Sequence, residues 1–203
     1  HETLYSRTYW HLPMPGSLGK MRLLSGLEYD VVQPLSRYEV RYHDEPELSL
    51  ELSFEAIHHP YAAALGQQGH IDQAGRVLGK LLLGGEEIPI DCIDMRDRSW
   101  TIRRDSGAVR AGYDYGFVDE HNGFLAMSIK VGAVEMIVTG YRLEGGQVTK
   151  LTGGSRTVER IEGRPSRVHI AALDETGRAL NATGQCVNRF GFQSSPNYFA
   201  WMS

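Results

Sequence analysis

Residues 91–104 read DCIDMRDRSWTIRR and hold three Asp, four Arg and one Trp in fourteen positions. These side chains can do chemistry together. A carboxyl group gives or takes a proton, and an Arg fork grips a carboxylate through two parallel hydrogen bonds. A Trp face supports a neighbouring positive charge. Upstream, His70 and Asp72 stand two residues apart in HIDQAGRVLG, on one face of an extended chain. A His–Asp pair of that kind is a general acid or base, and it is equally an ordinary surface pair beside a turn. Asp97, Asp94 and His70 are therefore the candidate catalytic residues. Arg96, Arg98, Trp100 and Arg103 are the candidate substrate-binding residues.

If 90–103 is extended, Ile90, Cys92, Asp94, Arg96, Arg98, Trp100 and Ile102 share one face. Asp91, Ile93, Met95, Asp97, Ser99, Thr101 and Arg103 share the other. Both faces mix apolar and charged groups, unlike a strand with one wet side. The pattern predicts protein on both faces, at a junction of two lobes or in a cavity wall, with Cys92 buried. The run then reads as an ion-pair cluster that holds the lobes together or as the polar floor of an apolar cavity. Within that cluster Asp97 is either a proton donor or an anchor for the arginines.

The elements that must position these residues are strands. Leu48, Leu50, Leu52 and Phe54 alternate, and Tyr38, Val40 and Tyr42 do so before them, with DEPE between as a hairpin turn. Further strands are expected in RVLGKLLL, IPIDCIDM, GFLAMSIKV, VEMIVTGYRL, RTVERIE, SRVHIAAL and NATGQCVNRF. Turn-forming LGGEE, EHNG, LEGGQ, EGRPS and DETGR separate them, as in an antiparallel meander. HHPYAAALGQQG is expected to make one or two helical turns from Pro60 to Gly66. RRDSGAVRAGYDYG reads as a crossing segment, with a second group of strands starting near Phe117. The fold expected is all-β, in two lobes, 1–105 and 106–203.

The bulk composition excludes several functions. The chain has 203 residues, 41% of them hydrophobic and 23% charged, enough to fill a core. A net charge of −4 provides no footprint for nucleic acid. No apolar run has the length of a membrane span. The chain begins at His1, as a processed or truncated start would, and carries no basic-then-apolar leader, so a cytoplasmic protein is expected. Cys92 and Cys186 form no CxxC pair, and the eight His show no HxH or HExxH spacing, so neither metal nor cofactor is expected. No GxSxG nucleophile motif occurs. Asn181-Ala182-Thr183 fits a glycosylation sequon.

RDRSWTIR at 96–103 resembles the Arg-Asp-(His/Arg)-Ser-Trp-Gly-x-Arg signature of the lipocalin-like superfamily that includes hydroxyneurosporene synthase, the carotenoid 1,2-hydratase. GHIDQAGRVLGKL resembles the His-x-x-Gln strand that precedes the signature there. Asp97, Ser99, Trp100 and Arg103 match, Thr101 replaces Gly, and Arg98 stands where the hydratases carry His. The resemblance implies two consecutive lipocalin-like β-domains, the first lacking its opening strands, with a ligand cavity near their junction. A hydratase also needs a downstream acidic residue, and neither Asp114 nor Asp119 aligns to it. The function expected is cofactor-independent acid–base chemistry on a hydrophobic small molecule such as a terpenoid or polyketide: hydration, dehydration, isomerisation or cyclisation. The alternative is a non-catalytic carrier of lipophilic ligands.

Overall fold

The computed structural model describes residues 5–7, 9, 12–13, 16–44, 46–62, 69–100, 110–195 and 198–202. It is all-β, with no helix among those residues. The chain divides into two units, His1–Pro60 with Asp72–Asp97, and Tyr61–Ile71 with Arg98–Ser203. The expected boundary between 105 and 106 lies outside the described residues.

The first sheet is built from β1 (Gly16–Ser17), β2 (Lys20–Arg22), β3 (Glu28–Gln33), β4 (Arg37–Asp44), β5 (Leu48–Ala56), β6 (Tyr61–Ala62), β7 (Gly69–Leu83) and β8 (Glu86–Trp100). Strands β1 to β5 follow one another, β7 pairs with β5, and β8 pairs with β7. Tyr38 faces Phe54, Val40 faces Leu52 and Tyr42 faces Leu50, so both alternating runs present their apolar side chains to one face. Tyr38 and Tyr42 are buried there. Tyr38 stacks on Tyr29 at 5.8 Å and meets Phe54 edge-on at 5.9 Å. The Phe54 ring covers Gly75, where a Cβ would come within 2.3 Å of it. Tyr61–Ala62 form strand where helix was expected, and 63–68 lie outside the described residues.

Gly84 and Gly85, with φ of 57° and 86°, turn β7 into β8. Two successive positive φ values make the tight turn whose twist suits a hairpin. Counting back from it sets Gly69 opposite Trp100, Asp72 opposite Asp97 and Gln73 opposite Arg96. The Trp100 indole lies on Gly69, in agreement with that register.

The second sheet is a consecutive antiparallel meander of β9 (Ala111–Asp119), β10 (Asn122–Val131), β11 (Val134–Glu144), β12 (Gln147–Ile161), β13 (Arg164–Asp174) and β14 (Ala179–Gln185). It curls as a half-barrel, as does the first sheet. The expected crossing segment is strand from Ala111 onward. The run NATGQCVNRF is broken: β14 ends at Gln185 and β15 (Phe190–Ser195) pairs with β16 (Tyr198–Met202) as a separate hairpin. One face of the meander buries Ala126, Ile137, Leu151, Ile170 and Ala172. The other buries Leu125, Tyr141 and Leu143. Tyr61 lies on that second face, its ring 5.2 Å from Tyr141 and its hydroxyl 3.0 Å from Thr139 Oγ1.

Candidate functional site

The charged run is strand through Trp100, and it is an edge: among the described residues β8 pairs only with β7. Asp94, Asp97, Arg98 and Trp100 are exposed, and so is Cys92, which was expected to be buried. A long edge strand is a template for unwanted pairing, and charged side chains along it discourage that. Arg103 lies outside the described residues.

The hairpin sorts the candidate residues onto two faces. Arg96, Arg98 and Trp100 share one. The Arg96 guanidinium lies 4.4 Å above the Tyr38 ring, and its Nη1 is buried with no hydrogen-bond partner among the described residues. The Arg98 guanidinium lies 5.8 Å from the Trp100 ring, which also lies on Gly69. Asp94 shares this face and accepts a 2.7 Å hydrogen bond from the Met95 N–H. Asp97 is on the opposite face. There the hairpin register sets Asp97 against Asp72, which is buried, as is His70. Alternation along the strand puts Asp97 on the opposite side from Arg96 and Arg98.

His58, one of the adjacent histidine pair, is committed to the backbone. Its Nδ1 donates to the His59 carbonyl at 2.6 Å, and its Nε2 accepts from the Ala74 N–H at 3.1 Å. Burial lowers its pKa. Gln73, fully buried, donates from Nε2 to the Leu35 and His58 carbonyls and so ties two loops to β7.

A second cluster, not anticipated from the sequence, lies wholly within the meander. Arg156 donates from Nε and Nη2 to Asp114 at 2.6 and 3.1 Å, and from Nη1 to Glu135 at 2.6 Å. Asp114 lies opposite Ala126, Glu135 opposite Arg156, and Arg156 opposite Ile170. Residues directly opposite share a face, so the trio stands on the apolar face. Side-chain exposures are only 14%, 18% and 15% for Arg156, Asp114 and Glu135, so solvent screens the charges weakly. Gly112 makes room: a Cβ there would lie 2.5 Å from Arg156 Nε and 2.6 Å from Ser128 Oγ. Ser128 is 1% exposed, and its hydroxyl has no hydrogen-bond partner among the described residues. Burial alone would lower the pKa of Arg156, but the two carboxylates overcome it and raise the value, so the trio is two carboxylates around one permanent cation. Asp119, the other downstream acid considered, holds the β9–β10 turn by accepting from the His121 N–H and the Asn122 amide.

The sequence contained one signal for each cluster. Counting outward from Gly84-Gly85 places Asp72 against Asp97. Glu135, two residues before Ile137 on the same side of β11, is a charge at a position that alternation reserves for the core.

A family model described as Domain of unknown function (DUF7064) matches residues 4–202. Neither the curated proteins nor the solved structures hold a match to the chain. Among the described residues no helix is long and apolar enough to cross a membrane.

Proposed function

The chain belongs to the DUF7064 family, whose description assigns no activity, and we propose from its geometry that it is a cofactor-independent acid–base enzyme acting on a hydrophobic small molecule. One observation carries the reading: a shielded Asp114–Arg156–Glu135 trio on the sheet face that buries Ala126, Ile137, Leu151, Ile170 and Ala172. Two carboxylates and one guanidinium leave a formal charge of −1 in surroundings that solvate charge poorly. Such a site favours positive charge in whatever it meets. A terpenoid or polyketide alkene develops that charge when it is protonated, hydrated, isomerised or cyclised. Solvent delivers the proton that starts the reaction, Asp114 or Glu135 stabilises the cationic centre and takes up the proton that this centre or the added water then sheds, and Arg156 holds both carboxylates in position. The orphan Ser128 hydroxyl beside Arg156 is a hydrogen-bonding group for an oxygen of the ligand. The resemblance of Arg96–Arg103 to the hydratase signature supports the same chemistry.

The test begins with native mass spectrometry of protein from its own host, to catch a retained apolar ligand. Asp114→Asn and Glu135→Gln variants are then expected to keep the ligand and to lose its conversion by about 100-fold or more. Conversion that survives in both variants sinks the assignment. A ligand retained by the parent and never converted identifies a lipophilic carrier instead.

A further inference from the structure

The face of β12–β14 opposite Arg156 carries a second chemical constellation. Thr157, His169 and Thr183 lie directly opposite one another across the three strands, and Glu159 is two residues beyond Thr157 on the same face. His169 Nδ1 is 3.1 Å from Thr183 Oγ1, and His169 Nε2 is 2.9 Å from Glu159 Oε1. Hydroxyl, imidazole and carboxylate thus form one continuous hydrogen-bonded chain on a half-exposed surface. One rung further along are Ser155, Ala171 and Asn181. They line an open depression of about 590 Å³ together with Gly153, Leu173 and Ala179. Small side chains keep its floor low, and Leu173, 52% exposed, presents an apolar wall.

We propose that Thr183, His169 and Glu159 form a nucleophile–base–carboxylate relay that accepts an acyl group from a small apolar ester lying in this depression. The geometric requirements for such a relay are a nucleophile in reach of its base and a base oriented by a third group, and both distances meet them. Thr183 Oγ attacks the ester carbonyl and its proton passes to His169 Nδ1. The alkoxide leaves with that proton, and an acyl-Thr183 remains. Water then attacks the acyl carbon, gives a proton to His169, and releases the acid with Thr183 restored. Glu159 is a positioning residue. It fixes the ring and stabilises the imidazolium through Nε2, and the His169 hydrogen bond in turn holds its carboxyl below the usual range. Asn181 stands two residues before Thr183 on the same face and lines the depression, and its carboxamide is the donor assigned to the developing oxyanion. The relay is independent of the Asp114–Arg156–Glu135 trio, which lies on the other face.

The probe is p-nitrophenyl acetate, with the intact protein, and the readout is an acetyl group mapped to a peptide by mass spectrometry. An acetyl group on the hydroxyl at position 183 is expected in the parent and in Thr183→Ser, absent in Thr183→Val, and formed about 100-fold more slowly in His169→Asn. In Glu159→Gln the acylation rate constant is expected to fall while the affinity for the probe is unchanged, because the ring loses the carboxylate that orients it. Circular dichroism confirms that each variant keeps the parent fold. Acetylation confined to lysines, or acetyl-Thr183 that forms at the parent rate in His169→Asn, overturns the proposal.

Discussion

A buried cation between two carboxylates is held by the groups that it holds. Replacing Arg156 by Met leaves Asp114 and Glu135 facing each other on an apolar face, which should cost roughly 3–5 kcal/mol. Thermal unfolding of Arg156→Met is the measurement. A triple replacement, Arg156→Met with Asp114→Leu and Glu135→Leu, should recover most of that loss, since a buried ion cluster exchanged for apolar groups is often neutral. If the triple variant converts ligand, the trio is structural alone. Asp97 behaves differently. The sequence suggested an anchor for four arginines, with a loss of similar size on replacement by Asn. Register places Asp97 away from Arg96 and Arg98 and against Asp72. Like charges opposite one another on paired strands are unfavourable. Asp97→Asn removes that repulsion and should cost well under the roughly 3–5 kcal/mol expected of an anchor, and a drop in the melt of that size would show that the anchor reading was right. The composition of 91–104 made the charges legible. Their partners depend on the pairing register and on the face each residue occupies, which local composition does not carry.

At the scale of elements, strand existence was readable because period-two alternation directly records a half-buried sheet, as in Tyr38 to Phe54. Strand ends were less so. Ala111–Asp119 is rich in Gly and Tyr and lacks clean alternation, because its inward positions hold Gly112, Asp114 and Gly116 rather than aliphatic residues. The break at 186–189 was likewise hidden, since Cys, Val and Phe around it suit a strand. Some glycines inside strands also proved structural. At Gly140, φ is 143° and a Cβ would lie 2.1 Å from the Leu125 carbonyl oxygen of the neighbouring strand. Only the absence of a side chain lets β10 and β11 approach there. Gly140→Ala should cost about 1–3 kcal/mol, with the loss expressed as faster hydrogen exchange in β10 and β11. Unchanged exchange in those two strands would show that the backbone relaxes at no cost.

For the whole molecule, the two units store their pH sensitivity in different groups. In the first, burial depresses the His58 pKa below the ordinary 6.5, and the neutral ring accepts from Ala74. A histidine depressed in the folded state binds fewer protons than it does in the unfolded chain. Its contribution is complete above about pH 6.5 and is lost as pH falls toward the folded value. In the second unit, Asp174 sits at the β13–β14 turn. It accepts from Thr176 Oγ1 at 2.6 Å, from the Thr176 and Arg178 N–H groups and from Arg178 Nε, and its pKa falls to about 2. Its contribution is complete above 3.8 and is lost only between there and about pH 2. Acid should therefore loosen β4, β5 and β7 before β12, β13 and β14. Hydrogen exchange read peptide by peptide at pH 7, 5 and 3.5, after correction for intrinsic exchange, is the measurement. The 72–83 peptides should lose protection between pH 7 and 5 while 164–185 keep theirs to pH 3.5. His58→Gln, which accepts without titrating, should flatten the first change and leave the second in place. Simultaneous loss in both segments would mean that neither group governs its own unit and that net charge drives the acid transition.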